Sequence, residues 1–396
     1  MENKWSIRQR VLAVLEGRKP DRLPFIDRMD FWYKGLSYQG RIPAQFAGKE
    51  LAQIHQEIGF GMEDWMWPVA FKFCTVEMIQ HFEGEEIFHE YEPEITNFPT
   101  LWGIIPTDRA GVTTTELITP VGKLVLQHGM LIESVISGTT RPNIVTRPVR
   151  TDDDYRAYEY LIEHMEIRPR FQPFLQREME LDGFGYLVPM IMRMPFQTLL
   201  IDAIGEVELF FSLHDNLKPV ERLLYVLDQQ VREVLKELAG LPVPFVEFPD
   251  NLEGSMTNPR LFRKYWLPYS QQYAQILHSQ GKKMASHTDG DLKSLVKLLP
   301  ESGLDICESF TPWPITQCTF EEAWVAWEKG PLIWGGIPSY YLEQRLPEAE
   351  FQSRIEQILA LIGDRPIILG IGDAVMSDND VERVRWIAQR VEEHVI

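Results

Sequence analysis

Short apolar segments alternate with longer amphipathic segments from about residue 180 to the end of the chain, and no other feature of the sequence constrains the fold as strongly. Apolar runs of about 4–8 residues are typical of buried strands, whereas longer runs with a 3.6-residue period are typical of helices. Regular alternation of the two predicts a parallel sheet covered by helices. The strand candidates are 185–192, 243–248, 282–287, 304–309, 331–336 and 366–371.

Polar and proline residues mark where several of the helices should begin. Asn258-Pro259 predicts the start of a helix over 258–280, and Thr319 precedes two glutamates in another helical segment. Pro268 lacks a backbone donor, so we expect a kink in the 258–280 helix unless an irregular turn absorbs it.

The first half of the chain is predicted to contain a strand, a helix and an inserted antiparallel segment. The strand candidate 23–27 follows an amphipathic helix candidate at 6–18, which we expect to cover the floor of a barrel. Period-two alternation within 84–150 predicts an antiparallel insertion. The fold prediction is therefore α/β: a (β/α)8 TIM barrel forming a single domain over 1–396, with an N-terminal helical cap and a small antiparallel insertion.

Charge and composition exclude several kinds of partner. The formal net charge of −19 offers little to a phosphate backbone or an anionic membrane surface, so we expect no nucleic acid and no membrane partner. The polar N-terminal segment and the lack of a bilayer-length apolar run predict a cytoplasmic protein. Cys74, Cys307 and Cys318 have no CxxC spacing, which favours free thiols.

Polar side chains, mostly carboxylates, lie at the carboxyl ends of the strand candidates, which converge on one mouth of a parallel barrel. Crowded carboxylates repel one another unless a divalent metal, an arginine or shared protons relieve the repulsion. Two pairs, Asp27 with Arg28 and Glu247 with Arg193, are alternatively structural ion pairs. The strand-end residues are Asp27, Arg28, Asp30, Arg193, Glu247, Asp250, His287, Asp289, Glu308 and Asp373.

His287 and Asp289, in the segment His-Thr-Asp-Gly, are the most specific local signal, and Asp373 lies between glycines after the last strand candidate. Each has a structural alternative, as a hydrogen-bonded rim residue or a helix cap. Trp32 and Trp65 belong to an aromatic cluster that either binds a flat ligand or forms core. We predict Asp27, Arg28, Trp32, Trp65, Arg193 and Asp250 as the substrate-binding residues.

Three landmarks resemble the uroporphyrinogen decarboxylase superfamily, which also contains corrinoid-dependent methyltransferases. RQRVLAVLEGRKPDRLPF resembles its opening helix and first strand. NPRLFRKYWLPYSQQYAQILHSQGKKMASHTDG resembles its long helix with an internal proline and the strand carrying the site histidine. GIGDAV resembles the end of its last strand. The landmarks occur in the family's order from about residue 6 to the C-terminus.

Departures from the family pattern distinguish its branches. The decarboxylase branch has an arginine-rich loop after the first strand and a histidine after the last. Here the loop that resembles it has one arginine, Arg28, among mostly acidic and aromatic residues, and Asp373 lies at the position that resembles the histidine. This is too little positive charge to bind a polycarboxylate tetrapyrrole. The thiol-activating methyltransferase branch holds zinc with His-x-Cys and a further cysteine, where this chain has His287, Asp289 and Asp373.

Carboxylates in place of thiolates imply a centre that polarises an oxygen. The resemblance implies a methyltransferase that moves a methyl group from an oxygen-linked small-molecule donor, such as a methoxylated aromatic, to the cob(I)alamin of a partner corrinoid protein. It implies Zn²⁺, or another divalent metal, on His287, Asp289 and Asp373. From their strand-end positions, we predict Glu247 and Glu308 as further catalytic residues. The cobalamin should arrive on the partner, because the chain lacks an Asp-x-His-x-x-Gly cobalamin motif.

Two other functions remain open on the sequence. One is a metal-independent decarboxylase or lyase, in which the carboxyl groups act as proton donors and His287 orients one of them. The other is a barrel that binds a small molecule without turning it over. Metal analysis separates the two enzymes, and a variant of Asp289 separates either of them from a silent binding protein.

Overall fold

The computed structural model describes residues 4–98, 103–139 and 141–394. The strands are β1 Ile26–Asp27, β2 Gly61–Met66, β3 Val69–Phe73, β4 Glu77–Phe82, β5 Glu85–Tyr91, β6 Glu94–Ile95, β7 Gly111–Thr119, β8 Gly122–Met130, β9 Asn143–Thr146, β10 Met165–Pro169, β11 Gly185–Pro189, β12 Phe245–Phe248, β13 Lys283–His287, β14 Ile306–Phe310, β15 Leu332–Pro338 and β16 Ile368–Gly372. The α-helices are α1 Ile7–Leu15, α2 Asp30–Tyr38, α3 Leu51–Ile58, α4 Ile132–Ser137, α5 Asp152–Glu163, α6 Phe171–Glu180, α7 Pro195–Gln197, α8 Glu206–Asp215, α9 Leu217–Glu237, α10 Pro259–Leu261, α11 Leu267–Ser279, α12 Phe320–Ala326, α13 Glu348–Ile362 and α14 Val381–Glu393.

Eight parallel strands form two hydrogen-bonded sheets. One sheet has the order β1-β2-β11, and the other has the order β12-β13-β14-β15-β16. Single parallel bridges join their edges, from Phe25 to Leu369 and from Met190 to Glu247. The predicted α/β class is confirmed. The strand ladders, however, do not form one continuous eight-stranded sheet, because each of the two junctions consists of one bridge.

All seven strand candidates correspond to observed parallel strands, with boundaries that differ by a few residues. The candidate at 243–248, for example, is β12, and the candidate at 366–371 is β16. The parallel strand that the sequence did not reveal is β2, whose sequence GMEDWM carries two acidic residues among its first four. Its position between β1 and β11 places those acidic residues inside the parallel sheet.

The helix signals act as expected. The Asn258 side chain accepts hydrogen bonds from the backbone N–H groups of Arg260 and Leu261, which confirms the predicted start. Thr319 forms a capping box with Glu322 at the start of α12. A π-helical turn at Phe262–Trp266 precedes α11 and absorbs the effect of Pro268, the irregular turn that was the expected alternative to a kink.

Antiparallel strands extend beyond both ends of the predicted 84–150 insertion. A five-stranded sheet has the order β5-β4-β7-β8-β9, and a second sheet pairs β3 with β6 and β10. The predicted antiparallel pairing is confirmed for β7 and β8, which pair with Thr119 opposite Gly122. Residues 132–137, assigned to the same antiparallel region by sequence, form α4 instead. The description of the chain as one domain stays a prediction.

A buried apolar cluster connects α1 to strands of both parallel sheets. Three aromatic rings lie at its centre: Tyr186 is 5.8 Å from Phe245 and 6.1 Å from Trp334. Its members are Val11, Val14, Leu15, Ile26, Tyr186, Val188, Met190, Phe245, Ala285, Ile306, Trp334 and Ile368. The polar side chains described next lie toward the carboxyl ends of the same strands. Among the helices of the described ranges, none is long and apolar enough to cross a membrane.

Candidate active site

Neighbouring strands bring His287, Glu247 and Glu308 together. His287 is the last residue of β13 and lies directly opposite Glu308 of β14, while Glu247 of β12 lies opposite Ala285 of β13. All three side chains are buried. Parallel pairing in register therefore places one imidazole between carboxyl groups from the two adjacent strands.

The two nitrogens of His287 have different partners. Nδ1 lies 2.5 Å from Glu308 Oε2, whereas Nε2 lies 3.7 Å from both Asp289 Oδ2 and Asp373 Oδ1. Burial would lower the pKa of His287, but the charges of Glu308 and Asp289 outweigh it and raise that pKa to about 10. Glu308 fixes the ring so that Nε2 points to the two aspartates.

Asn251 holds Asp289 in place. Its Nδ2 donates to both carboxylate oxygens of Asp289 at 3.0 Å. Asn251 has a positive φ of 45°, a backbone conformation that asparagine tolerates better than most residues. Burial alone would raise the pKa of Asp289, but His287 and the Asn251 hydrogen bonds hold it well below its ordinary value.

Arg28 and Trp65 complete the rim beside Asp373. Arg28 Nη2 lies 3.4 Å from Asp373 Oδ1, and its guanidinium carbon lies 3.7 Å from the centre of the Trp65 ring. The Trp65 ring meets His287 edge to face at 5.1 Å, and its Nε1 donates to Glu63 at 2.5 Å. Burial raises the pKa of Asp373 despite the nearby charge of Arg28.

A group of buried carboxyls lies around these residues. Burial and the charge of Glu308 raise the pKa of Glu63 to about 8, and the same two causes raise that of Glu247 well above its ordinary value. Burial and Glu63 raise the pKa of Asp27. A Cβ at Gly370 would lie 2.5 Å from Asp27 Oδ2, so glycine is required for this close approach. Of these carboxyls, Glu63 therefore holds its proton near neutral pH.

Two of the predicted substrate-binding residues, Trp32 and Asp250, contact other residues of the protein. Trp32 is buried, and its ring packs against Phe46 at 6.1 Å. Asp250 is fully buried and accepts hydrogen bonds from the Met194 backbone and the Trp266 indole, at 2.9 and 3.0 Å. Both side chains are buried. For Trp32 this is the core alternative that the aromatic cluster left open, and for Asp250 the strand-end pattern gave the position but not the direction of the side chain.

The suggested ion pairs are also replaced by others. Arg193 pairs with Asp202 at 2.9 Å and donates to Asn251 Oδ1 at 2.8 Å, so its partner is not Glu247. Asp27 accepts the backbone N–H of Arg28 at 2.7 Å, but the Arg28 guanidinium lies against Asp373. Arg193 is connected to the site by this hydrogen bond to Asn251, which in turn donates to Asp289.

Sequence reasoning missed three residues of this group: Glu63, Asn251 and Arg141. The signal for Glu63 was an acidic residue two positions before Trp65 in a segment that did not look like a strand. Asn251 directly follows Asp250 at a strand end, so the strand-end pattern that predicted Asp250 also applied to Asn251. Arg141 precedes β9 in the antiparallel segment, and no local pattern connects it to the site.

Among the residues that the structure describes, two sets of side chains have the donors and spacing to hold a metal ion. One donor atom from each of His287, Asp289 and Asp373 lies within 4.8 Å of the others, and the same holds for Glu247, His287 and Glu308. The first set uses Nε2, leaves Nδ1 to Glu308 and is partly exposed, which is the usual arrangement of a metal-bound histidine with a carboxylate partner.

An imidazole among carboxyl groups with perturbed pKa values, at the carboxyl ends of parallel strands, defines the class of an α/β enzyme. The chain belongs to the uroporphyrinogen decarboxylase (URO-D) family, whose model matches residues 190–394. No curated protein sequence matches the chain.

Solved structures add a likeness of fold. A methyltransferase from Methanosarcina mazei is similar over 98% of this chain and 99% of its own, with a TM-score of 0.53 and 12% identity. The alignment with a structure of the pneumococcal virulence factor StrH covers 94% of this chain and 85% of the StrH chain, with a TM-score of 0.35 and 11% identity. The first likeness supports the α/β fold, and the second is too weak to support an argument.

Proposed function

We propose that this chain is a methyltransferase that transfers a methyl group from a methoxylated aromatic, or another oxygen-linked donor, to the cob(I)alamin of a partner corrinoid protein. The observation that carries the proposal is the convergence of His287 Nε2 with Asp289 and Asp373, each at 3.7 Å. These donors are mostly oxygens. At the corresponding positions, the thiol-activating branch of the methyltransferases has sulfur ligands. The membership of the URO-D family and the fold shared with the Methanosarcina protein are consistent with it.

We propose that the two parallel sheets act together as one (β/α)8 barrel. The single bridges at Phe25–Leu369 and Met190–Glu247 support this arrangement, since they connect both pairs of sheet edges. The apolar cluster shared by α1 and strands of both sheets supports α1 as the cover of the barrel floor. The carboxyl ends of all eight strands would then surround the His287 group.

The residues present fit a zinc ion better than a cation that prefers only oxygen donors. His287 offers a nitrogen and Asp289 and Asp373 offer oxygens, a combination that zinc accepts at about 2.0–2.2 Å. A zinc ion bound there would supply positive charge to polarise the oxygen that leaves the methyl group. Its binding requires the neutral form of His287, so it is coupled to release of a proton.

The protein's own groups serve the same step. As the methyl carbon forms its bond to cobalt, the electron pair of the C–O bond passes to the leaving oxygen, which then needs a positive partner or a proton. Asp373 is partly exposed, its pKa is raised by burial, and it lies beside Nε2 of His287. In the metal-free form, a proton held between these two groups would neutralise the oxygen, while Arg28 and Trp65 fix the rim against which the substrate lies.

The proposal predicts a spectroscopic change under anaerobic conditions. Purified protein mixed with free cob(I)alamin and a panel of methoxylated phenols and benzoates should convert Co(I) to methyl-Co(III), followed by absorbance. The demethylated phenol should appear in equal amount, measured by chromatography. Boiled protein is the control for uncatalysed methylation. No conversion with any member of a broad donor panel would contradict the proposed activity.

The buried carboxyls favour a second candidate, a metal-independent decarboxylase or lyase. Glu63 has a pKa of about 8, so it can act as an acid near neutral pH, and burial with the charge of Glu308 raises the pKa of Glu247 in the same direction. Full activity after exhaustive chelation, on a carboxylic acid substrate, would support this candidate. Loss of activity with the metal, restored by Zn²⁺, would support the methyltransferase.

Glu308 should control metal affinity through His287. We expect Glu308→Gln to weaken zinc binding by about 10–100-fold, because the carboxylate that orients the ligand and raises its basicity is lost. Competition with a chromogenic zinc chelator measures the change. Glu328→Gln, at an exposed position, is the matched control and should bind zinc like the wild type. Equal affinity of folded Glu308→Gln and wild type would show that the metal does not use His287 in this orientation.

A further inference from the structure

Three arginine side chains lie around the candidate site, and two of them have carboxylate partners. Arg193 pairs with Asp202 at 2.9 Å, and Arg28 approaches Asp373 at 3.4 Å. Within the described residues, Arg141 has no carboxylate oxygen within 4.0 Å of its guanidinium nitrogens. Arg141 is therefore the one of these three arginines that has no carboxylate at ion-pair distance.

Arg141 lies between α4 and β9 and reaches the site from the antiparallel part of the chain. Its Nη1 lies 3.3 Å from Asn251 Oδ1, and its guanidinium carbon lies 5.9 Å from the centre of the Trp65 ring. Burial, together with the charges of Arg193 and Arg28, lowers the pKa of Arg141 to about 10. The charges of Asp289 and Asp373 act in the opposite direction on this pKa but do not outweigh these effects.

The contact with Asn251 does not account for this placement. Asn251 Oδ1 already accepts a shorter hydrogen bond, 2.8 Å, from Arg193, so the 3.3 Å contact with Arg141 adds little. A guanidinium has five N–H donors, and a charge removed from water is stabilised only by a counter-charge or hydrogen-bond acceptors. The donors of Arg141 that remain are suited to an acceptor supplied from outside the chain.

We propose that Arg141 binds a carboxylate group of the substrate, so that the oxygen-linked methyl donor is an aromatic acid. This inference rests on the proposed function and names the class of its substrate. The planar fork of a guanidinium matches a carboxylate with two parallel hydrogen bonds. One Asn251 side chain separates Arg141 from Asp289. Arg141 and His287 would therefore hold two ends of one small molecule, its acid group and its methoxyl oxygen.

Calorimetric titration with two ligands tests the inference without any methyl transfer. The probes are 3-methoxybenzoate and its neutral counterpart 3-methoxybenzamide. Wild-type protein should bind the benzoate at least about 10-fold more tightly than the amide, because hydrogen bonds to a charged group are the stronger ones. Arg141→Gln should weaken benzoate binding by about 10–100-fold and leave amide binding unchanged. Arg150→Gln, at an exposed arginine of the same part of the chain, should bind both ligands like the wild type.

The outcomes separate this inference from the proposed activity. Equal binding of the two ligands by the wild type, binding of neither, or an equal loss of both in Arg141→Gln would overturn the carboxylate site. Thermal denaturation of the variant shows whether it is folded, and Arg141→Lys, which keeps the charge, should recover part of the benzoate affinity. Selective benzoate binding without methyl transfer would retain the carboxylate site and reject the methyltransferase.

Discussion

Replacing His287 by alanine should reduce methyl transfer by about 10³-fold or more, the range expected when a group that stabilises charge or moves a proton in the transition state is removed. His287 is the residue that both candidate metal sets share, and its Nε2 lies between Asp289 and Asp373. The measurement is the initial rate of methylcobalamin formation at saturating donor. Bound zinc, measured by elemental analysis, should be lost in the same variant.

A second variant keeps this prediction testable if the alanine variant unfolds. His287→Ala leaves Glu308, which is 2% exposed, without its partner and removes a ring from the core, whereas His287→Gln can still donate to that carboxylate. His278→Ala is the control, because His278 is exposed and pairs with Asp305 on the protein surface. A folded His287→Gln protein with more than about a tenth of the wild-type rate would show that His287 is not at the reaction centre.

The fold was predictable where a buried strand carries no more than one charged residue. β12, β14 and β16 are buried along their whole length and meet this condition, so their mostly apolar sequences identify them as core strands of a parallel sheet. β2 escaped recognition because it also carries Glu63 and Asp64 for contacts with Trp65 and Arg177. Residues placed for function or ion pairing interrupt the apolar pattern by which a buried strand is recognised.

Only part of the candidate site was predictable from the sequence, because the sequence does not give side-chain direction or the packing of distant elements. Strand ends correctly brought His287, Glu308 and Asp373 together, since parallel strands meet at one edge. The sequence could not distinguish them from Asp250, which follows a strand in the same way but points into the core. Arg141 comes from an element with no sequential relation to the site, so its position depends on how the antiparallel strands pack.

Loss of the Arg193 side chain should have the largest effect on stability. Arg193 and Asp202 are 3% and 2% exposed, so Arg193→Ala leaves a carboxyl buried without its cation. We expect the free energy of unfolding to fall by about 3–5 kcal/mol, measured by urea denaturation. Arg177→Ala is the control: its pair with Asp64 is 36% and 29% exposed, and its loss should cost about 1 kcal/mol or less.

A double variant separates the stability of this pair from its role in the site. Arg193→Met with Asp202→Leu removes both charges and fills the space with apolar groups, so it should recover most of the lost stability. Methyl transfer should remain low, because Asn251 loses the 2.8 Å hydrogen bond that orients the amide holding Asp289. If the double variant regains wild-type turnover together with stability, Arg193 has only a structural role. If it stays as unstable as Arg193→Ala, the cost arises from lost packing or from Asn251, because no unpaired charge remains to explain it.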